Sequence, residues 1–265
     1  MQVQGQSSLR ASFAIQRRVI WALLMREVIT RFGRENLGVL WLIGEPMLFT
    51  LGVTALWSGA GFNHGSALPI VAFAVTGYSS VLMWRNSVGR CCSGIQQNLS
   101  LLYHRNVRVI DVLITRIMLE MGGATASFIT LSAFFIAIEW ISPPQDPLLV
   151  VVGWLMLAWF GTALSLLIGA ATAFSELVER LWQPAAYLLF PLSGAAFMVD
   201  WLPTEMQSIV LLLPMVHGVE LVREGYFGSV IRTHYDMSYM AGVNLVLTLA
   251  GLLLVRAAGR RAGSL

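Results

Sequence analysis

The chain has 265 residues, of which 57% are hydrophobic and 12% are charged, and it carries a formal net charge of +3. A soluble domain has about 25% charged residues, so this composition excludes an ordinary soluble protein and predicts an all-α, polytopic membrane protein. All 17 positive charges are arginine, which excludes a P-loop in this chain because that motif needs a lysine to reach the nucleotide phosphates.

Residues 1–36 are polar and rich in arginine, and they lack the short apolar core and cleavage site of a signal peptide. Within this N-terminal segment, residues 20–34 have helical amphipathicity, with Arg26, Arg31 and Arg34 on the polar side. A basic amphipathic helix of this kind lies in the membrane interface. The alternative is a partner-binding helix that packs on the membrane domain.

Six apolar segments approach the length of about 20 residues that a membrane-spanning helix needs. They cover residues 37–58, 67–84, 109–138, 148–174, 181–199 and 239–255. Residues 209–219 are also apolar, but they are too few to span and contain Pro214. They therefore predict a pair of short re-entrant or interfacial helices before the last span. The six-span domain covers residues 37–255, and residues 256–265 form a basic tail.

The arginines predict the orientation of these spans. All of them except Arg223 and Arg232 lie on one side of the predicted bilayer. Because loops rich in arginine remain in the cytoplasm, both termini are expected there. The largest cytoplasmic loop, residues 85–108, then holds either a helix that docks on a soluble partner or simply the arginines that set the topology.

Charged residues within the spans allow two interpretations. Glu45 precedes Pro46 inside the first span, where a carboxylate is costly and suggests a function. An arginine partner that fixes helix packing would explain it as well. At the start of the third span, Arg116 and Glu120 are one helical turn apart and can pair, with Asp111 nearby. An ion-paired start of the helix and a proton relay are both consistent with this pattern.

The densest polar cluster is residues 214–224, where His217, Glu220 and Glu224 fall on one helical face. Three such groups could bind zinc, but the H-E-x-x-H motif is absent and Arg223 would repel a cation. We therefore expect a hydrogen-bonded network rather than a metal site. No nucleophile motif such as G-x-S-x-G is present, so the sequence does not predict an enzyme.

Four segments together resemble the permeases of the KpsM family, which are ABC-2 type transporters that export capsular polysaccharide. They are residues 25–33 (MREVITRFG), 37–46 (LGVLWLIGEP), 174–176 (FSE) and 214–224 (PMVHGVELVRE). The resemblance runs through nearly the whole chain in order. It is looser to the permeases that export O-antigen or teichoic acid, which remain an alternative.

The resemblance implies a non-enzymatic subunit of an ATP-driven exporter that moves lipid-linked acidic capsular polysaccharide across the bacterial inner membrane. It implies a homodimer that works with a KpsT-type cytoplasmic ATPase dimer, on which ATP and Mg are held. It also implies a KpsE-type periplasmic co-polymerase and an outer-membrane polysaccharide exporter. No cofactor or metal in this chain and no nucleic acid partner are expected.

The resemblance also assigns roles by position. A coupling helix at residues 94–106 and the turn before the fifth span contact the ATPase through Gln96, Asn98, Leu101, Leu102, Arg105, Glu176 and Glu179. A periplasmic cap at the outer end of the channel comprises His217, Glu220, Arg223 and Glu224. We further expect a channel between spans one, two and five, with substrate-contacting residues Arg26, Arg31, Arg34, Trp41, Glu45, Tyr78 and Arg90. Aromatic faces in it would stack on sugar rings.

Two functions of other classes remain open. A proton-coupled secondary transporter would use Glu45, Asp111 and Glu120, and it would work without an ATPase. An intramembrane enzyme that acts on lipid would use His217 and Glu220 as an acid–base pair. The sequence contains no complete set of residues for either one.

Overall fold

A computed structural model describes residues 9–32, 40–59, 68–102 and 107–262, and all regular elements in these ranges are helical. The helices are α1 (Leu9–Phe32), α2 (Leu40–Gly59), α3 (Ile70–Cys92), α4 (Gly94–Gln97), α5 (Leu99–Leu102), α6 (Val109–Ala137), α7 (Pro147–Ala171), α8 (Glu176–Leu192), α9 (Thr204–Val210), α10 (Pro214–Phe227) and α11 (Met237–Ala262). Single 3₁₀ turns occur at Val199–Trp201 and Gly228–Val230.

Four of the described helices, α2, α6, α7 and α11, are long and apolar enough to cross a membrane. The helices α9 and α10 are bent by 107° at their junction and would add a fifth if they form one broken span. The predicted second and fifth spans correspond to α3 and α8, which do not meet the same criterion. The α3 sequence includes Arg85 and Asn86, and α8 has only 17 residues.

The centre of the molecule is α3, which contacts α2, α6, α7, α8 and α10. Nearly every residue from Ala72 to Trp84 is buried. Two of its hydroxyl groups are satisfied locally, because Thr76 donates to the carbonyl of Ala72 at 2.8 Å and Ser80 donates to that of Thr76 at 2.6 Å. A helix enclosed by protein can therefore carry polar residues, which explains why α3 is less apolar than its neighbours.

Helix starts agree with local capping signals. At α6, the Asp111 carboxylate accepts a hydrogen bond from the Arg108 amide at 3.0 Å, and the helix starts at the predicted residue. At α7, Asp146 accepts from the Leu149 amide at 3.0 Å and Pro147 occupies the first turn. These residues fix where two of the apolar segments become helical.

The fifth and sixth apolar segments differ from prediction at their ends. The α8 helix starts five residues early because Ser175 caps it, and it ends at Leu192 because Gly194 adopts a φ of +83°. The predicted basic tail is not a separate segment over its described part, since α11 continues to Ala262.

Candidate functional site

Polar and aromatic side chains follow α3 along its length, in contact with α2 and α8. They form three regions, which we call the inner network, the aromatic column and the outer network. Because α2, α3 and α8 are the helices predicted to border the channel, these regions are the candidate functional site.

Arg116 on α6 is the centre of the inner network. It donates to the Arg90 carbonyl and to Gln97 Oε1, both at 2.6 Å, and its Nη2 lies 3.2 Å from Glu27 Oε1 on α1. The predicted Arg116–Glu120 pair is therefore wrong, because Arg116 instead points toward the end of α3. A single guanidinium thus joins α1, α3, α4 and α6.

Arg90 forms the second part of the inner network. Its Nε lies 3.6 Å from Glu120 Oε1 and its Nη2 lies 3.7 Å from Glu45 Oε2. Glu45 therefore has the arginine neighbour that a packing role requires. Asp111 is used differently: besides capping α6, it accepts a hydrogen bond from Gln16 on α1 at 2.9 Å.

The predicted coupling helix at residues 94–106 is, over its described part, two single turns, α4 and α5, that meet at Asn98. Asn98 is 3% exposed, donates to the Gly94 carbonyl at 2.9 Å and accepts from Arg26 at 2.7 Å. In this arrangement Asn98 cannot present its side chain to a docking partner, and Arg26 is held against it. The remaining predicted contact residues differ in exposure: Gln96 is exposed, Leu101 and Leu102 are half-buried, and Arg105 lies outside the described residues.

The α1 helix packs on α6. Glu27 and Arg26 reach Arg116 and Asn98, while Leu24, Met25 and Val28 are half-buried and Trp21 and Ile29 are 63% and 67% exposed. The packed side of α1 is therefore mixed in polarity, and part of its apolar side is left exposed. Two of the predicted substrate contacts cannot be placed: the side chain of Arg31 and the whole of Arg34 lie outside the described residues.

A cavity of about 250 Å³ lies between α2, α3 and α8, next to the inner network. Its polar lining includes Glu45, Arg85, Asn86, Arg90 and Gln183. The Arg85 guanidinium carbon stands 4.8 Å from the centre of the Tyr187 ring. Its Nε is buried without a hydrogen-bond acceptor among the described residues.

Arg85 is the site residue that sequence reasoning missed. Hydropathy ends the second apolar segment at Trp84, where the uncharged run stops, and places Arg85 in the loop that follows. The α3 helix in fact continues to Cys92. The available signal was the continued helical sequence without glycine or proline until Gly89.

The aromatic column continues from the cavity along α3. Its ring centres are 5.2 to 6.0 Å apart in the series Phe190–Tyr78, Tyr78–Trp57, Trp57–Phe73 and Phe73–Trp201. Phe49 on α2 joins it, 6.0 Å from both Tyr78 and Phe190. The predicted channel residue Tyr78 is thus in the column but only 5% exposed, whereas Trp41 is 38% exposed and is not part of it.

The outer network is centred on Arg223 of α10, which is fully buried. Its guanidinium donates to the carbonyls of Gly194, Phe197 and Ala195 at 2.6, 2.6 and 2.7 Å. It also stacks on Phe73, with the guanidinium carbon 3.8 Å from the ring centre. Arg223 therefore ties the turn after α8 to α10 and to the outer end of the aromatic column.

The other predicted cap residues hold the loops around α10. His217 Nε2 lies 2.8 Å from the Leu211 carbonyl, and its Nδ1 accepts from the Asp236 amide at 2.8 Å. Glu220 accepts from the amides of Val199 and His234 at 3.3 and 3.1 Å. The polar atoms of both side chains are therefore engaged in hydrogen bonds with backbone groups. In the described ranges, no group of three His, Cys, Asp or Glu residues could hold a metal ion.

Glu224 lies at the edge of the same network, outside its buried centre. Its Oε2 accepts a hydrogen bond from the Thr233 hydroxyl at 2.6 Å. Partial burial and the nearby Glu224 carboxylate raise the pKa of Tyr235. The loop before α11 is thus also connected to α10.

The first turn of α8 holds Glu176 and Glu179, both predicted as ATPase contacts, and Glu179 is half-buried. The side chain of Glu176 is 76% exposed and its Oε2 is 3.5 Å from Arg180. An exposed pair of this kind contributes little to stability, so the Glu176 carboxylate is available to a partner.

Gly77 allows the close contact between α3 and the outer network, and we predict that Gly77→Ala is destabilising. An added Cβ would overlap the Ala195 carbonyl oxygen and lie 2.6 Å from Arg223 Nη2. Such overpacking costs about 1–3 kcal/mol. Thermal unfolding of the purified protein should show a lower midpoint for Gly77→Ala. The control is Gly122→Ala on α6, where an added Cβ meets nothing within 4 Å; an equal midpoint for both variants would contradict the prediction.

Residues 18–227 match the family model described as ABC-2 type transporter. The chain is 46% identical over 255 residues to the capsule polysaccharide export inner-membrane protein CtrC of Neisseria meningitidis, covering 96% of each protein. It is 43% identical over 256 residues to the protein of the same description, BexB, of Haemophilus influenzae, covering 97% of each. The polysialic acid transport protein KpsM of Escherichia coli is 26% identical over 254 residues, which is 93% of this chain and 96% of that protein.

Proposed function

Because this chain belongs to the ABC-2 type transporter family and, within it, to the capsule polysaccharide export inner-membrane proteins, we propose that it is the membrane conduit of an ATP-driven exporter. The observation that carries this proposal is the arginine-lined cavity between α2, α3 and α8, the helices expected to border the channel. Phe73 and Tyr78 of the aromatic column are buried, so the surface for the weak, repeated contacts that suit a moving sugar polymer comes from its exposed ring, Phe49 on α2.

The proposed topology has six spans, formed by α2, α3, α6, α7, α8 and α11, in a bacterial inner membrane with both termini cytoplasmic. The α9–α10 pair would be a re-entrant element on the outer side. Burial of α3 supports this arrangement, since an enclosed helix can span while carrying polar residues. The exposed Trp21 and Ile29 support an interfacial α1 whose apolar side meets lipid.

The proposed assembly is a homodimer bound to a KpsT-type ATPase dimer. The apolar surfaces of α2 and α8 support it, because Leu48 and Leu56 on α2 and Leu188 on α8 are more than half exposed. A second copy would cover them and close the channel. ATP and Mg would be on the ATPase, and a KpsE-type co-polymerase and an outer-membrane exporter would receive the lipid-linked acidic polymer.

The charges observed here favour this function over a proton-coupled transporter. Glu45 and Glu120 both lie beside Arg90, and Asp111 caps α6. Each of these carboxylates is thus engaged in a contact between or at the end of helices, which is what a packing role requires. An acid–base role for His217 and Glu220 is also disfavoured, because backbone groups occupy both side chains.

Transport by reconstituted protein tests the proposal. We expect vesicles that contain this chain and its cognate ATPase to move acidic capsular polysaccharide on addition of ATP. Vesicles that contain this chain alone should move none. Transport by the lone chain, or driven by a pH gradient, would exclude the proposed mechanism.

Leu101→Asp is expected to abolish co-purification of the ATPase. Leu101 lies on α5 and is half-buried, whereas Leu102 packs against a buried cluster and would also destabilise the fold if changed. Burying an aspartate side chain, in the fold or in the contact with a partner, costs several kcal/mol of free energy. This cost is enough to disrupt a hydrophobic contact. The control is Val230→Asp, which is 61% exposed in the turn after α10. Equal recovery of the ATPase with both variants would reject α4–α5 as the docking element.

A further inference from the structure

We propose that a second pocket, next to the outer network, binds a sugar residue that carries a carboxylate. This pocket, which we call the outer pocket, has a volume of about 210 Å³. It lies where the turn after α8 meets the turn after α10 and the chain before α3. Its lining combines Asp200, Trp201 and Arg232 with the apolar side chains of Leu68, Met198 and Ile231.

The outer pocket is separate from the arginine-lined cavity. Its Trp201 stacks on Phe73, with the ring centres 5.2 Å apart and the ring planes inclined by 23°. Phe73 precedes Arg85, which lines the other cavity, by 12 residues on α3, and this is about 18 Å along the helix. The aromatic column thus leads from one pocket to the other, and the proposed topology places the outer pocket on the exit side of the membrane.

The outer network holds the walls of this pocket in place. The Glu220 carboxylate accepts hydrogen bonds from the amides of Val199 and His234, at 3.3 and 3.1 Å, so it connects the turn after α8 to the loop before α11. The Phe73 ring that supports the indole is itself covered by the Arg223 guanidinium, 3.8 Å from the ring centre. A pocket whose walls are fixed in advance loses little conformational entropy when a ligand binds.

Trp201 gives the outer pocket an apolar wall. Phe73 fixes the orientation of the indole ring, and the side chain is half-buried and lines the pocket, so a ligand there would contact it. The C–H groups of a sugar ring form an apolar surface that can pack on an aromatic ring. Met198 and Ile231 extend the same wall. An apolar wall with a few polar groups at its edge is typical of sites for small ligands.

Arg232 and Asp200 supply complementary hydrogen-bonding groups beside this wall. Arg232 is exposed, and no described carboxylate forms an ion pair with it. A guanidinium binds a carboxylate through two parallel N–H···O bonds. Asp200 Oδ1 lies 3.6 Å from His234 Nε2, and a carboxylate has further lone pairs that accept from hydroxyl groups. The acid group and the hydroxyl groups of a uronic acid would therefore each have a partner in the outer pocket.

The size of the outer pocket favours a single sugar ring over a lipid or a peptide. Its volume of about 210 Å³ corresponds to about seven water molecules at about 30 Å³ each in the liquid. An acyl chain or an extended peptide segment needs a longer groove. Charged groups of both signs in the lining also disfavour an acyl chain, because it would leave them without hydrogen-bond partners.

The role of the outer pocket at the exit of the conduit rests on the proposed function, but the binding of a sugar does not. Binding can be measured on the isolated chain, without the ATPase and without transport. Missing sugar binding together with normal ATP-driven export would reject the outer pocket alone. Transport by the lone chain together with retained sugar binding would reject the proposed function alone.

Saturation-transfer NMR on the purified chain in non-ionic detergent tests the outer pocket, since this method detects weak ligands. The probes are tetragalacturonic acid and its methyl ester, which has the same rings without the charge. Because charge-assisted hydrogen bonds are the stronger ones, we expect the acid to bind about tenfold more tightly than the ester. Arg232→Gln should remove this difference, whereas Arg256→Gln, at the exposed end of α11, should preserve it.

A second pair of variants tests the aromatic wall. Trp201→Leu should weaken the acid and the ester alike, because both present the same ring to the indole. Trp140→Leu, which changes a tryptophan that is 62% exposed in the turn after α6, should alter neither affinity. If Trp201→Leu does not fold, the exposed Arg232 still carries the test. Absence of binding to the parent protein, or equal affinity of the acid for the parent and Arg232→Gln proteins, would overturn the proposal. Equal affinity of the acid and the ester for the parent would overturn the assignment to an acidic sugar.

Discussion

Arg223→Met is expected to prevent accumulation of folded protein in the membrane. The substitution removes the donor to the buried carbonyls of Gly194 and Ala195 and to the part-buried carbonyl of Phe197. Each orphaned buried acceptor costs about 1–3 kcal/mol, and the sum is comparable to the 5–15 kcal/mol of a whole domain. Stacking of the guanidinium on Phe73 is lost as well. The measurements are the amount of protein in isolated membranes and its thermal midpoint after purification.

Two comparisons separate this effect from a simple loss of charge. Arg232→Met removes an arginine that is exposed in the loop before α11, and it should leave both measurements unchanged. Arg223→Lys keeps a buried charge but offers three donors from one point, so it should satisfy fewer carbonyls and give an intermediate midpoint. Normal accumulation of Arg223→Met would show that the outer network does not hold α8 against α10.

Helix positions were predictable wherever apolar length and capping signals agree. The third and fourth apolar segments correspond to α6 and α7 within three residues at each end. Their agreement follows from Asp111 and Asp146, which cap the N-termini of these two helices. The second segment, which begins before the first residue of α3, was ended at Trp84. Hydropathy cannot identify the rest of α3 as helix, because a helix enclosed by protein is free to carry arginine.

Residue identity predicted which groups are important better than it predicted their partners. The spacing of His217 from Glu220 and Glu224 predicts its place in a network, the resemblance adds Arg223, and both are bonded in the outer network. Arg116 was paired with Glu120 because they are one turn apart, but its partner Glu27 lies on a different helix. Sequence spacing predicts only which residues are neighbours within one helix. It cannot predict the contacts that form when α1 packs on α6.

Asn98 shows the same limit for a proposed interface. A polar residue in the largest predicted loop was assigned to partner docking. The structure instead buries it between Arg26 and the Gly94 carbonyl, where it divides the predicted coupling helix. Composition indicates that a loop is polar, but it does not show which polar groups the fold itself consumes.

Arg116→Met is expected to uncouple ATP hydrolysis from export. Arg116 links α4, through Gln97, to Glu27 on α1 and to the Arg90 carbonyl at the end of α3. A displacement of α4 by the ATPase can reach α1 and α3 through these short bonds. Without them, we expect the complex to assemble and to hydrolyse ATP while export falls at least tenfold. Export from vesicles and ATPase activity are measured on the same preparation.

The partner Glu27 makes the coupling test specific. If Glu27 acts through Arg116, the double variant Glu27→Gln, Arg116→Met should export no less than Arg116→Met alone, whereas independent effects would multiply. Arg256→Met, at the exposed cytoplasmic end proposed for α11, removes the same charge without touching the inner network and should export normally. A parallel loss of export and of complex assembly in Arg116→Met would mean that the guanidinium builds the docking surface rather than transmitting its movement. Retained assembly with lost export would locate the transmission in the contacts of this side chain with Gln97, Glu27 and the Arg90 carbonyl.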